Sequence, residues 1–442
     1  MDTLLRPGTI LKCKTLSTPI EVLRILGRGG QGEVYEVGFA GEKLAAKWYS
    51  PQFLRRDPEI LPRLRDSIHA SPPSAAFLWP LTLLLPEEAS AGRLGIAAES
   101  FGYLMNLPPP GYVRAIEHEA GRLTISLRNV MRASYFLAEA FDRLHNHGLC
   151  YKDISIGNLF LNPENGRILI CDNDNVAVTG IGRSAALGTA GYMAPEVLLG
   201  QARPSIETDL FSLAVLIFRL LTRSDPFKGQ MELQIRCLDG PSQRQLYGID
   251  PVFLFDPHDE RNRPDPQVHQ AAYVTWAIYP ADLRRLFQQT FGAGLRNPGR
   301  RVLTGQWCET LASLLDRRLL CPHCGQEVFS QGKGPHRCWA CGESIPPVGA
   351  LQVPRGVVFA QPDNELQPHH FDAREVECLD SPVARVETHP RDEGLLGLLN
   401  LSDQPWNVNL VEGGTASVPP GRRCNLKRAA QIQTHLGDIH LV

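Results

Sequence analysis

The feature that most narrows the fold is Gly27-Arg28-Gly29-Gly30-Gln31-Gly32, a glycine-rich turn set between two stretches of apolar and β-branched residues. Glycines at this spacing let backbone N–H groups approach a chain of phosphates with no Cβ in the way. A dinucleotide-binding unit would open a helix at the third glycine and carry an acid about 20 residues further on. Instead Glu33-Val34-Tyr35-Glu36-Val37-Gly38-Phe39 follows, a strand-forming run, so the loop caps a β-hairpin. A third strand-like run ends in Leu44-Ala45-Ala46-Lys47, which brings an ammonium beneath the loop. No GxxxxGK[ST] motif is present, which excludes a Walker-type loop. Either feature alone reads as a tight turn or a solvated lysine. Together they point to phosphate binding.

A second constellation lies downstream. Asp153 and Asn158 stand five residues apart, after a helical pattern over Asn129–His145 and before an apolar strand. Beyond them Ile168-Leu169-Ile170-Cys171 runs straight into Asp172-Asn173-Asp174-Asn175. Taken singly, these stretches read equally as Asx-rich turns. As an ordered set they offer hard oxygen ligands to Mg²⁺ and leave Asp153 free to accept a hydroxyl proton.

The 442 residues, 43% hydrophobic and 21% charged, describe an ordinary globular chain of several domains. A net charge of −2 creates no global field for nucleic acid or anionic lipid. The apolar runs Phe77–Leu85 and Leu210–Leu221 fall short of the ~20 residues of a membrane span. The first residues lack a signal-peptide pattern, so the expectation is a cytoplasmic protein with reduced thiols. Of 11 cysteines, four form Cys321-Pro-His-Cys324-Gly and Cys338-Trp-Ala-Cys341-Gly. Two such knuckles complete a closed tetrahedral site, which predicts a structural Zn²⁺ held by Cys321, Cys324, Cys338 and Cys341. The other seven, Cys13, Cys150, Cys171, Cys237, Cys308, Cys378 and Cys424, are read as packing residues. After Pro346-Pro347 the chain turns β-rich, with short apolar stretches separated by Pro, Gly and Asn that favour a small antiparallel sandwich or barrel. Its basic cluster, Arg422, Arg423, Lys427 and Arg428, reads as a solvated face.

The order of the first set of parts resembles the eukaryotic-type protein kinase fold. Gly27-x-Gly29-x-x-Gly32-x-Val34 is similar to its glycine-rich loop, Ala46-Lys47 to its strand lysine, and Tyr151-Lys152-Asp153 with Asn158 to its catalytic loop. Asp172 matches the first residue of its metal-binding DFG motif, and Gly188-Thr189-Ala190-Gly191-Tyr192-Met193-Ala194-Pro195-Glu196 its activation-segment end. The resemblance implies an α+β chain. A bilobal kinase domain would span 1–318, with an N-lobe over about 10–107 and a C-lobe over about 108–318. A zinc ribbon over 319–346 and a β-rich domain over 347–442 would follow. It further implies ATP as phosphate donor with Mg²⁺ or Mn²⁺. Gly27, Gly29, Gly32, Val34, Ala45, Lys47, Met105 and Leu107 would hold the nucleotide, Asn158 and Asp172 the metal, and Asp153 would be the base. Arg301 would pair with Glu196, Thr189 would shape the substrate platform, and Ser184 and Thr179 are candidate self-phosphorylation positions.

Three departures stand out. Tyr151-Lys152 replaces His-Arg, Ser155 stands where a lysine is usual, and Asn173-Asp174 replaces Phe-Gly. The helix glutamate that should meet Lys47 is assigned to Glu59, because helical periodicity follows it. The combination with the cysteine knuckles resembles the bacterial kinases of tellurite-resistance-associated phosphorylation triads. That resemblance implies a protein substrate and, as partners, a von Willebrand A-type protein and a metal-dependent protein phosphatase. The competing readings are a nucleotide-binding pseudokinase scaffold and a small-molecule kinase. The intact Gly188–Glu196 segment argues against the latter.

Overall fold

The computed structural model describes residues 3–97, 99–179, 188–330, 336–375 and 378–442. Strands β1 (Ile10–Leu11), β2 (Ile20–Arg28), β3 (Gly32–Phe39), β4 (Glu42–Tyr49), β5 (Thr82–Leu84) and β6 (Gly102–Met105) form one antiparallel sheet in the order β1-β2-β3-β4-β6-β5. Strand alternation sorts its side chains onto two faces. Ile20, Val22, Tyr35, Val37, Ala46, Trp48 and Leu104 pack with Leu5 and Leu11 on one. Ala45, Tyr49, Tyr103 and Met105 pack on the other, against Phe53 and against Ile60 and Leu64 of the helix Ile60–His69.

The larger, helical part is built around two long helices. Leu127–Asn146 is capped by Ser126, whose hydroxyl accepts the Asn129 N–H. Ile206–Thr222 begins in a capping box between Ser205 and Thr208. Apolar on nearly every side, this second helix is buried almost without interruption from Thr208 to Thr222 and runs through the core beside Phe227, Phe287 and Phe291. Between the two in sequence, strands Leu159–Leu161 and Ile168–Ile170 pair as an antiparallel hairpin. Asn158 directly precedes the first strand and Asp172 follows closely on the second, so one hairpin brings both groups to the same edge.

Two small hairpins follow, Arg318–Leu320 with Glu327–Phe329 and His336–Arg337 with Ser344–Ile345. Beyond them an antiparallel six-stranded and an antiparallel four-stranded sheet share a core that includes Leu351, Val386, Leu398, Trp406, Ile432 and Ile439. This is the face-to-face packing of a sandwich. Buried arginines fasten the region to the rest. Arg132, on the helix Leu127–Asn146, donates to Glu365 at 2.9 Å and to the Asn165 carbonyl at 2.9 Å. Arg318 donates to Glu327 at 2.9 Å and to the Asn364 side-chain Oδ1 at 3.1 Å.

Among the described residues no helix is long and apolar enough to cross a membrane. Cys13, Cys150, Cys308 and Cys424 are buried and Cys171 and Cys378 half-buried, but Cys237 is exposed and so is not a packing residue. It follows a single helical turn, Gln230–Leu233, in a stretch where Ile235 and Leu238 are the residues that pack on the core. The Thr179 hydroxyl accepts the Ile206 N–H at 3.1 Å, while Ser184 lies outside the described residues.

Candidate active site

The glycine-rich turn closes the β2–β3 hairpin, with Gly27 opposite Val34 and the Gly29 N–H donating to the Gly32 carbonyl at 2.9 Å. Its glycines have two different reasons. A Cβ on Gly32 would lie 2.0 Å from the Trp48 carbonyl oxygen, so close strand packing requires that one. A Cβ on Gly27, Gly29 or Gly30 would meet no atom within 4 Å. Nothing in the fold needs those three bare, and the space they leave suits a phosphate chain.

Directly below, β4 carries Ala45 opposite Met105 and Lys47 opposite both Val34 and Tyr103. Val34, Ala45, Met105 and Leu107 join one apolar cluster, a ceiling of the kind a flat heteroaromatic ring stacks against. The Lys47 side chain is only 4% exposed. Its Nζ donates to Asp174 at 2.8 and 3.1 Å and to the Gln31 side-chain Oε1 at 2.5 Å, and stands 3.5 Å from Asp172. Burial works against its charge, but Asp174 and Asp172 outweigh that and hold the ammonium above its ordinary range. Glu59 is not a partner. It is the exposed N-terminal cap residue of the helix Ile60–His69, whose apolar residues Ile60 and Leu64 are the ones turned to the sheet.

The opposite wall comes from the loop after strand Leu149–Cys150. The buried Asp209 of the helix Ile206–Thr222 accepts the Tyr151 N–H at 2.6 Å and the Lys152 N–H at 3.2 Å, which sets the loop on its helix. The Asp153 carboxylate accepts the Thr189 hydroxyl at 3.0 Å, and the Asn158 amide donates to the Asp153 carbonyl at 3.0 Å. Asp172 adopts the left-handed backbone region, φ 60°, an uncommon conformation for an aspartate that turns the chain sharply at the strand end. Burial pushes its carboxyl up while the Lys47 ammonium pulls it down, and the balance is upward. Where Phe would follow, Asn173 is fully buried and its amide donates to the carbonyls of Leu78 at 2.8 Å and Ile170 at 3.0 Å. Hydrogen bonds thus pin the turn that apolar packing would otherwise hold.

Below the cleft, Arg301 grips Glu196 through both terminal nitrogens at 2.8 and 2.9 Å. Spacing along the chain singled out neither Gln31 nor Tyr49, and it put Asp174 among oxygen ligands for a metal, where the structure places it on Lys47. Asp209 carried a signal as one of two acids, with Glu207, in the first turn of an apolar helix.

The four cysteine sulfurs of the knuckles all lie within 4.8 Å of one another, Cys321 to Cys341 at 3.6 Å and Cys324 to Cys338 at 3.5 Å. Disulfides would need about 2.05 Å, whereas thiolates tetrahedral about zinc with ~2.3 Å bonds sit roughly 3.8 Å apart. Gly325 and Gly342, one after each knuckle, take φ of 72° and 76°, which lets each turn close.

A strand-rich lobe whose glycine hairpin and lysine face a loop aspartate, an amide and a strand-end aspartate resembles the arrangement of a protein kinase domain. Residues 105–269 match the family model described as protein kinase domain. Among curated proteins it is similar to the DNA damage-responsive serine/threonine-protein kinase RqkA of Deinococcus radiodurans, 28% identical over 52% of this chain and 33% of that one. It is likewise similar to the serine/threonine-protein kinase PknA of Mycobacterium tuberculosis, 27% identical over 50% of this chain and 51% of that one. A shorter stretch, 21% of this chain and 10% of the relative, is 40% identical to a cGMP-dependent protein kinase, isozyme 2, of Drosophila melanogaster. The chain thus spans about half or less of the length of the curated relatives it matches.

Proposed function

We propose that the chain is an ATP-dependent protein kinase that moves the γ-phosphate onto a serine or threonine hydroxyl of a partner protein in a bacterial signalling system. The observation that carries this reading is the placement of Lys47 within 3.5 Å of Asp172, under a hairpin whose three unhindered glycines leave room for phosphates. The hairpin at Gly27, Gly29 and Gly32 and the Lys47 ammonium hold the phosphate chain, while Val34, Ala45, Met105 and Leu107 cover the adenine. Asn158 and Asp172 are the oxygen ligands for Mg²⁺ or Mn²⁺, which when bound neutralises phosphate charge. Asp153 orients the acceptor hydroxyl and takes its proton, and Thr189 fixes the rotamer of that carboxylate. Ser155 brings no cation to the loop, so charge neutralisation would fall on Lys47 and the metal ion that Asn158 and Asp172 would hold.

The domain boundaries follow the same reading: kinase domain 1–318, zinc ribbon 319–346 and β-rich domain 347–442. A cytoplasmic setting and partnership with a von Willebrand A-type protein and a metal-dependent phosphatase belong to this proposal through the resemblance. Purified chain with γ-labelled ATP, Mg²⁺ and such a partner is expected to place label on serine or threonine. A nucleotide-dependent rise in melting temperature with no transfer to any partner would replace the kinase with a binding scaffold.

Elemental analysis is expected to find one zinc per chain, and Cys338→Ser to lose it. Chelation should unfold the Cys321–Ile345 segment to proteolysis, because its apolar cluster, Leu319, Val328 and Ile345 around two of the cysteines, is too small to hold it alone.

A further inference from the structure

Lys47 is a buried cation, and burial of an ammonium is costly unless a carboxylate meets it. The helix Ile60–His69 provides none. Glu59 and Asp66 are exposed, and the buried Asp57 just before it is taken by Arg63 at 2.9 and 2.6 Å. The carboxylate at Nζ comes from the other side of the cleft. Asp174 has no exposed side-chain surface, contacts Lys47 through both oxygens, and accepts the Tyr49 hydroxyl at 2.5 Å. It sits on the short turn Asn173–Asn175, two residues past Asp172. The two acids are sorted by position. Asp174 lies inside with its oxygens committed to Lys47 and Tyr49, whereas the Asp172 side chain is 33% exposed and stands back at 3.5 Å. Gln31 completes the arrangement. Its side-chain Oε1 accepts from Lys47 and its amide donates to Asn175 at 3.1 Å, joining the glycine hairpin to the same turn.

We propose that Asp174 is the positioning residue for Lys47, so that one turn carries both the lysine's counterion and the metal-facing acid, and the Ile60–His69 helix supplies no carboxylate to the lysine. This rests on the phosphoryl-transfer reading. Its consequence is that the lysine's charge is met from the turn after strand Ile168–Ile170.

The test uses the full chain with Asp174→Asn, Tyr49→Phe, Asp172→Asn and, as a control, Glu59→Gln. Binding of Mg²⁺-free ADP is measured by calorimetry, transfer is followed against ATP and Mg²⁺ concentration, and melting curves check folding. Asp174→Asn should weaken Mg²⁺-free ADP binding about tenfold and raise KM for ATP while leaving the half-saturating Mg²⁺ concentration unchanged. Asp172→Asn should raise that Mg²⁺ concentration. Glu59→Gln should match the parent chain. Tyr49→Phe removes one oxygen from a folded core and should weaken ADP binding about threefold, which decides the matter if Asp174→Asn does not fold. Unchanged ADP binding in Asp174→Asn, faster transfer, or a Mg²⁺ requirement raised as in Asp172→Asn would each overturn the proposal. If the parent chain binds ADP but transfers nothing, the kinase reading fails, and the ADP comparison still decides the role of Asp174.

Discussion

Asp153→Asn is expected to slow phosphoryl transfer by ~10²–10⁴-fold, the usual worth of a positioned general base, with little change in nucleotide affinity. The substitution keeps the shape of the side chain. Its amide oxygen still accepts the Thr189 hydroxyl, and the Asn158 amide still holds the residue 153 carbonyl, because that bond is to backbone. What is lost is the ability to accept a proton and the negative charge that orients the acceptor hydroxyl. The loop itself should stay in place, since the Tyr151 and Lys152 N–H groups remain bonded to Asp209. Single-turnover assays with labelled ATP give the rate, and ADP titration separates binding from chemistry. Transfer at more than about a tenth of the parent rate would remove Asp153 from the base role.

Arg301→Met should produce the largest loss of stability. The guanidinium is fully buried, grips Glu196 through two nitrogens, donates to the carbonyls of Gly294 at 3.0 Å and Glu207 at 2.8 Å, and lies 5.2 Å from the Phe211 ring centre. Methionine fills much of the volume but leaves Glu196 charged, largely buried and without its partner. Removing one member of a buried pair costs about 3–5 kcal/mol. At roughly 2–4 °C per kcal/mol for a domain of this size, the melting temperature should fall by about 10 °C. Glu196 also ends the Gly188–Glu196 segment, so transfer to protein substrates should drop while ADP binding in the distant cleft persists below the new melting point. Denaturant unfolding of the two chains is the measurement, and a difference under about 1 kcal/mol would show that the pair contributes little.

Much of the cleft was legible because its chemistry is local. The glycine hairpin, the Asp153–Asn158 spacing and the four-cysteine pattern each need only a few consecutive residues, and spacing along the chain sets their geometry. The strand stretches of the last region were legible for the same reason, since alternation of apolar residues dictates which face each one buries. The placement of Glu59 opposite Lys47 failed in an instructive way. Helical periodicity tells which residues share a face of the helix, but the rotation of that helix against the sheet is set by packing. Here Ile60 and Leu64 take the inward face, and Glu59 is left at the exposed start. Cys237 failed likewise, because thiol burial depends on which apolar neighbours the fold supplies.

The chain's own order of residues therefore determined which groups could act: a hairpin with open glycines, a lysine, an ordered aspartate, asparagine and aspartate, and four thiols. Tertiary structure alone decided how those groups are wired. Asp174 meets Lys47 across 127 residues of chain, and Gln31 meets Asn175 across 144. No local propensity encodes either pairing. A carboxylate in an Asx-rich turn becomes the lysine's counterion only when folding takes both out of water, where an unpaired charge costs more than the turn would otherwise give up.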